Sequence, residues 1–169
     1  SIYIHSKIEK NTIEYEIAKK IIAEQILPHL KVDREFSSKI LTNMVNLQML
    51  AYFHADLWIE IPKKIPLSYL QISEGNRVDI FFLDVLLLHC LPEILNEKNA
   101  PVIFRVTRDG DFTVDLTEED SESIPDIIRK NISSRERGKP VRLQLLGKAS
   151  ADLLHSCLKT LRLDDKALF

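Results

Sequence analysis

The sequence predicts the α+β class, with a two-layer build in which an antiparallel or mixed sheet is covered by helices. Strand-like runs come as neighbours joined by short turns, around His54-Ala55 and around Asp109-Gly110, which suits antiparallel pairing rather than the helical crossovers of a parallel sheet. Runs with the helical period precede, separate and follow them. The scale is set by length: 169 residues, 45% of them hydrophobic, suffice for one well-buried domain with one core over residues 1–169, and a second domain is not expected.

Taken in order, Asn11 and Glu14 have the spacing of a capping box. Ile13, Ile17 and Ile21, with Ala18, Ile22 and Ile26, form the apolar stripe of a helix that Pro28 bends or ends, so residues 1–30 read as a helical lead-in to the same domain. Val45, Leu47, Met49, Ala51 and Phe53 alternate with Asn46, Gln48, Leu50 and Tyr52, and residues 56–61 repeat the period of two, giving a hairpin. Its less apolar faces carry Tyr52 and Trp58, which either form an exposed patch for a partner or lie under a helix. Pro62 and Pro66 bracket an irregular link, Gly75-Asn76 marks a turn, and Arg77–Phe82 reads as a strand running into a helix capped by Asp84 and limited by Pro92.

The next segment is the most informative. Val102, Phe104 and Val106 alternate with Ile103, Arg105 and Thr107, and Asp109-Gly110 offers the positive φ angles of a tight turn. Phe112, Val114 and Leu116 alternate with Asp111, Thr113 and Asp115 on a returning strand. The acidic stretch at 118–122 suits the positive end of a helix that starts near Ser123 and carries Ile124, Ile127, Ile128 and Ile132. A strand over residues 141–146 and a helix from Ser150, with Leu154, Leu158 and Leu161 on one side, complete the order.

A formal net charge of -2 gives no global attraction for polyanions, so any such binding has to come from a local cluster. Cys90 and Cys157 lack metal or redox spacing and read as core thiols, which predicts a reducing, cytoplasmic setting. No apolar run reaches the roughly 18 to 20 residues of a membrane span, and no signal peptide is expected. The chain opens at Ser1 without an initiator methionine, as expected of a domain excised from a larger protein.

Catalytic and metal constellations are not apparent. His155 and Cys157 lie two apart on a predicted helix and His89-Cys90 are neighbours, so neither pair can face one ion, and His89 reads as a packed helix histidine. GxxxxGK[ST], GxGxxG and GxSxG are missing, and four glycines offer little material for a phosphate cradle, so no nucleotide site is expected on this chain. The pairs Asp109/Asp111 and Asp164/Asp165 suit local hydrogen bonding in a turn and near a helix end.

The cationic residues are more suggestive. Arg105 shares a polar strand face with Thr107, Arg108 adjoins the turn, Arg142 shares one with Gln144, and Arg135, Arg137 and Lys139 fill the loop before it. They converge if their strands are neighbours. Otherwise Arg105 and Arg142 pair with Asp111, Asp115 or Glu136 as surface ion pairs worth about 1 kcal/mol or less. Nucleic acid is not an expected partner, because base stacking needs exposed aromatics and Phe104 and Phe112 fall on core faces.

As a string, Phe104-Arg105-Val106-Thr107-Arg108-Asp109 resembles the FRVTRD-type motif in the middle, or head, domain of the polyphosphate kinase family, the long bacterial enzymes that polymerise the terminal phosphate of ATP. Ile127 to Arg129, followed by Arg135-Glu136-Arg137-Gly138-Lys139-Pro140-Val141-Arg142-Leu143-Gln144, is similar to that family's helix, basic turn and RxGxxVRLE strand. Glu24-Gln25-Ile26-Leu27-Pro28-His29-Leu30 is similar to its REEVFPVLTPL segment, and Leu83-Asp84-Val85-Leu86-Leu87-Leu88-His89 to its LEDVIxxHL helix. The resemblance spans nearly the whole chain. Two stretches depart from it: residues 36–47 keep only the outline of the family's PFPFxSNLSLNL segment, and Pro125 falls within what the family writes as one long acidic helix.

The resemblance implies the head domain of a transferase that reversibly passes the γ-phosphate of ATP to polyphosphate through a phosphohistidine, with ATP and magnesium as the whole enzyme's requirements. The family's catalytic residues lie on other domains and none matches this chain, so the fragment alone is expected to be inactive and to carry no catalytic, cofactor-binding or metal residue. Implied partners are the N-terminal and C-terminal domains of the same enzyme, a second copy in a homodimer, and polyphosphate, with Arg105, Arg108, Arg135, Arg137 and Arg142 as its expected contacts. A peripheral association of the whole enzyme with membranes is also implied. The competing reading is a stand-alone, non-catalytic module that binds protein or nucleic acid through the Tyr52/Trp58 hairpin or the basic loop.

Overall fold

The computed structural model describes residues 1–34, 38–54, 57–65, 67–110, 125–126, 129 and 137–169. They form β1 (Ile2–His5), α1 (Ile13–Ile21), β2 (Lys31–Asp33), α2 (Ser38–Asn43), β3 (Met49–Phe53), β4 (Leu57–Ile61), β5 (Tyr69–Glu74), β6 (Arg77–Phe82), α3 (Leu83–Ile94), β7 (Val102–Arg108), β8 (Pro140–Leu146) and α4 (Ala151–Leu161). The class is α+β, as expected. The strands make a three-stranded sheet, β1-β6-β5, and a five-stranded sheet, β2-β4-β3-β7-β8. The named strands of the larger sheet pair antiparallel, and β1 runs parallel to β6 in the smaller one.

The larger sheet is buried on both faces, because its strands alternate between two apolar sets. Ala51, Phe53, Ile59, Ile61 and Ile103 face α1 and α3, where Tyr15, Ala18, Ile22, Leu86, Leu87 and Cys90 pack on them. Leu50, Trp58, Phe104, Val106 and Leu143 face α2 and α4, meeting Ile40, Leu41, Cys157, Leu158 and Leu161. The single core expected from length is thus divided by the sheet.

The first helix differs from the sequence reading by a rotation. Its N-cap is Thr12, whose Oγ1 accepts from the Tyr15 backbone N–H at 3.2 Å, while Asn11 takes a left-handed φ of 64°. Its buried face is Tyr15, Ala18, Ile22 and Ile26, leaving Ile13 77% exposed. The Tyr15 hydroxyl fixes this rotation by donating to Glu93 Oε2 at 2.6 Å, and Lys19 Nζ donates to Glu93 Oε1 at 2.7 Å. The backbone then passes through a π-helical turn, Ile22–Ile26, and a 3-10 turn, Leu27–His29, where Pro28 ends it. Residues 1–30 are therefore not wholly helical, since they open on β1.

β1, β2, α2 and β5 have weak local signals. β2 is three residues long and charged, suiting a sheet edge. β5 turns into β6 across Gly75-Asn76, where Gly75 takes the positive φ of 55° that favours glycine. The hairpin of β3 and β4 forms, with Met49 opposite Ile61 and Phe53 opposite Leu57, but β3 starts at Met49, so Val45 and Leu47 precede the strand instead of belonging to it. Pro92 lies inside α3, which runs on to Ile94, and Asp84 sits in its first turn rather than at its N-cap, Phe82. Of the expected helix near Ser123, Pro125, Asp126 and Arg129 are helical, whereas Ile124, Ile127, Ile128 and Ile132 lie outside the described residues.

Side chains also hold β1 to β6. His5 Nε2 lies 2.5 Å from Asp79 Oδ1 and its ring stacks on Phe81 at 4.6 Å, while Arg77 donates to both Asp79 oxygens at 2.7 and 2.8 Å. The Arg77 guanidinium, then His5, holds the Asp79 carboxyl down to about 2. A carboxylate depressed in the folded state contributes stability above its ordinary value of 3.8, and loses it as pH falls to about 2. Asp79→Asn is therefore expected to flatten the fall of the urea midpoint across that window; a profile parallel to wild type would refute this.

Candidate arginine face

β7 is the strand that organises the site. β3 flanks it on one side, with Met49 opposite Arg105, and β8 on the other, with Gln144 opposite Arg105 and Arg142 opposite Thr107. Both edges of the signature strand are thus taken by distant segments, Gly110 lacks the positive φ expected of it, and the Asp109 N–H donates to Lys139 O at 2.8 Å. Phe112, Val114 and Leu116 lie outside the described residues.

This pairing brings Arg105 and Arg142 together. Antiparallel register puts Arg105, Thr107, Arg142 and Gln144 on one sheet face, with the arginines diagonal to each other. Arg105 is half-buried: its Nη2 reaches Met49 Sδ at 3.3 Å and Asp84 Oδ2 at 3.4 Å, while its Nε is buried and finds no acceptor. Among the described residues Asp84 is the carboxylate beside it, and Asp111, Asp115 and Glu136 lie outside them. Arg142 is exposed, and its guanidinium lies 3.8 Å over the Phe169 ring, a cation–π contact. Phe169 is held by backbone bonds to the edge of β8, at 3.0 Å to Leu143 O and 2.9 Å from the Leu145 N–H.

Two grooves meet at this face. One, about 430 Å³, is lined by Gln48, Met49, Lys63, Phe82, Asp84 and Arg105 among others. The second, about 230 Å³, is lined by Asp84, Ile103, Arg105, Gln144, Leu146 and Phe169. Leu47, at the rim of the first, has a φ of 61°, a conformation that costs a bulky residue about 1–2 kcal/mol.

The other expected contacts separate. Arg108 points to the opposite face and is buried, 8% exposed, where burial lowers its pKa. Its Nε donates to Met44 O at 2.7 Å, Nη1 to Gly138 O at 2.8 Å and Nη2 to Thr42 O at 2.9 Å. The Thr42 and Met44 carbonyls lie at the C-terminal end of α2, so Arg108 caps that helix and ties it to the loop before β8. Gly138 has a steric reason to be glycine, since a Cβ there would lie 2.0 Å from Asp109 O. Arg137 is exposed in this loop, and Arg135 lies outside the described residues.

Sequence reasoning missed Asp84, Met49 and Phe169 as members of the site. Asp84 carries a legible signal, an acidic residue in the first turn of a helix, but its approach to Arg105 comes from tertiary packing. The remaining candidates are structural. Trp58 is 1% exposed beneath α2 and α4, which removes it from any exposed hairpin patch. Cys90 and Cys157 are buried, and burial pushes each thiol up to about 12. Burial lowers the pKa of His89. Among the described residues no group of three His, Cys, Asp or Glu side chains is arranged to hold a metal, and no helix is long and apolar enough to cross a membrane.

Fold and site together define an α+β domain that presents two arginines from adjacent strands above a pair of grooves. The family model described as polyphosphate kinase middle domain matches residues 14–169, and the chain belongs to that family. Among solved structures it is similar to the crystal structure of polyphosphate kinase from Porphyromonas gingivalis, with a TM-score of 0.55 and 13% identity. That match covers 99% of this chain and 25% of the other, so the chain spans about a quarter of that protein's length and the likeness concerns the fold. A search of the curated proteins finds no match.

Proposed function

We propose that this chain is the head domain of a polyphosphate kinase, and that the whole enzyme reversibly transfers the γ-phosphate of ATP to polyphosphate through a phosphohistidine. In this reading, ATP, magnesium and the catalytic groups are held by the N-terminal and C-terminal domains. The 169-residue chain is one non-catalytic domain that positions those neighbours, contributes to a homodimer and lines part of the polymer's path. Family membership supports the enzyme class. The observation that carries the polymer contact is Arg105, a half-buried guanidinium whose Nε has no acceptor, diagonal to Arg142 on one sheet face.

Polyphosphate is a flexible polyanion with about one charge per phosphate, so guanidinium groups gain from charge-assisted hydrogen bonds and from counterion release. Arg105 and Arg142 are the proposed contacts, joined by Arg137 and Arg135 from the loop before β8. Arg108 is assigned to the scaffold, because its donors already meet carbonyls. Long-chain polyphosphate should bind the chain weakly, with affinity falling as salt rises. Changing Arg105 and Arg142 together to Ala should weaken binding by about tenfold or more and shallow the salt dependence, with circular dichroism unchanged. Absence of binding at low salt would refute the polymer role and leave a domain-positioning scaffold.

A further inference from the structure

We propose that Asp84 is an internal counter-ion that competes with bound anions for Arg105, and so sets how tightly this face holds polyphosphate. The inference rests on the polymer contact proposed above. Asp84 and Arg105 both line the groove of about 430 Å³ and the groove of about 230 Å³, so this pair forms their shared wall. An anion reaching Arg105 from either groove also meets the carboxylate.

The pair is close enough to compete but too loose to satisfy the guanidinium. Its single contact, Nη2 to Oδ2, is 3.4 Å, beyond the roughly 2.7–2.9 Å of a good charge-assisted bond. Met49 Sδ at 3.3 Å is a weak acceptor, and Nε has none. Asp84 is anchored independently of the arginine: its Oδ1 accepts from the Val85 N–H at 2.8 Å in the first turn of α3. The carboxylate therefore stays in place when Arg105 turns to a ligand, and its charge opposes each phosphate that arrives. A contact weakened in this way releases a polymer that must move past it.

The test compares wild type, Asp84→Asn, Arg105→Ala and the double variant by titrating long-chain inorganic polyphosphate into the 169-residue chain at several salt concentrations, with circular dichroism to check folding. Asparagine keeps an oxygen for the Val85 N–H, removes the charge and replaces the Oδ2 acceptor that faces Arg105 with an amide NH2. Asp84→Asn should bind about fivefold more tightly at low salt, and the gain should vanish in the Arg105→Ala background, because both act through one guanidinium. Wild-type binding that is indifferent to Asp84→Asn, or a gain undiminished without Arg105, overturns the competition while leaving the polymer contact standing. No binding by any folded variant removes the polymer contact and this inference with it.

Discussion

Arg108→Ala is expected to destabilise the folded chain by about 3 kcal/mol, read as a fall in the urea midpoint, whereas Arg105→Ala is expected to change it by about 1 kcal/mol or less. The two arginines are three residues apart in one strand, and the contrast follows from which face each takes. Arg108 is buried and donates to three carbonyls from two segments, Thr42 and Met44 at the end of α2 and Gly138 before β8. Truncation takes the Arg108 donors away from those three carbonyls in a place water reaches poorly, and it removes a cation from the negative end of a helix. Arg108→Lys should recover only part of the loss, since one ammonium cannot match a planar fork with three separate donors in use. Equal, small effects for Arg105→Ala and Arg108→Ala would show that the Arg108 bonds contribute little in solution.

The same pair shows what could be read from the chain. Alternation placed Arg105 and Arg142 on polar strand faces, and the fold makes those faces one. Alternation also puts Arg108 with Phe104 and Val106, an inward-facing set, but a cation beside Asp109-Gly110 reads as a turn residue. Its carbonyl partners lie more than sixty residues away in one direction and thirty in the other, so no local pattern announces them. The partners of β7 were hidden for a related reason. Asp109-Gly110 suits a tight turn locally, yet Gly110 lacks a positive φ, and the strands that flank β7, β3 and β8, come from distant parts of the chain that no local pattern names. The β3–β4 hairpin, α3 and α4 were legible because their signals lie within each element; α4 begins within one residue of the expected start, with Ser150 as its N-cap and Ser150 Oγ accepting from the Leu153 N–H at 3.2 Å. β1 was not, since an edge strand paired in parallel with β6 leaves no nearby partner to complete a pattern.

Trp58→Ala should destabilise the chain by about 3–5 kcal/mol, the range for removing a large aromatic from a packed core. The indole is 1% exposed, with Tyr52 at 4.5 Å and Phe104 at 6.4 Å between ring centroids, and α2 and α4 close over it through Leu41, Cys157 and Leu158. No helix can slide far enough to refill so large a space while the sheet beneath stays paired, so most of the cavity persists. As the chain's single tryptophan, Trp58 also reports on its own surroundings: native emission should be blue-shifted and shift red on unfolding. The stability of the Ala variant is then followed by circular dichroism. This measurement separates the two uses that alternation allowed for the β3–β4 hairpin. Were Trp58 an anchor for a partner, its emission would be that of a solvated indole and its removal would leave the urea midpoint unchanged; a core residue gives the opposite result on both counts.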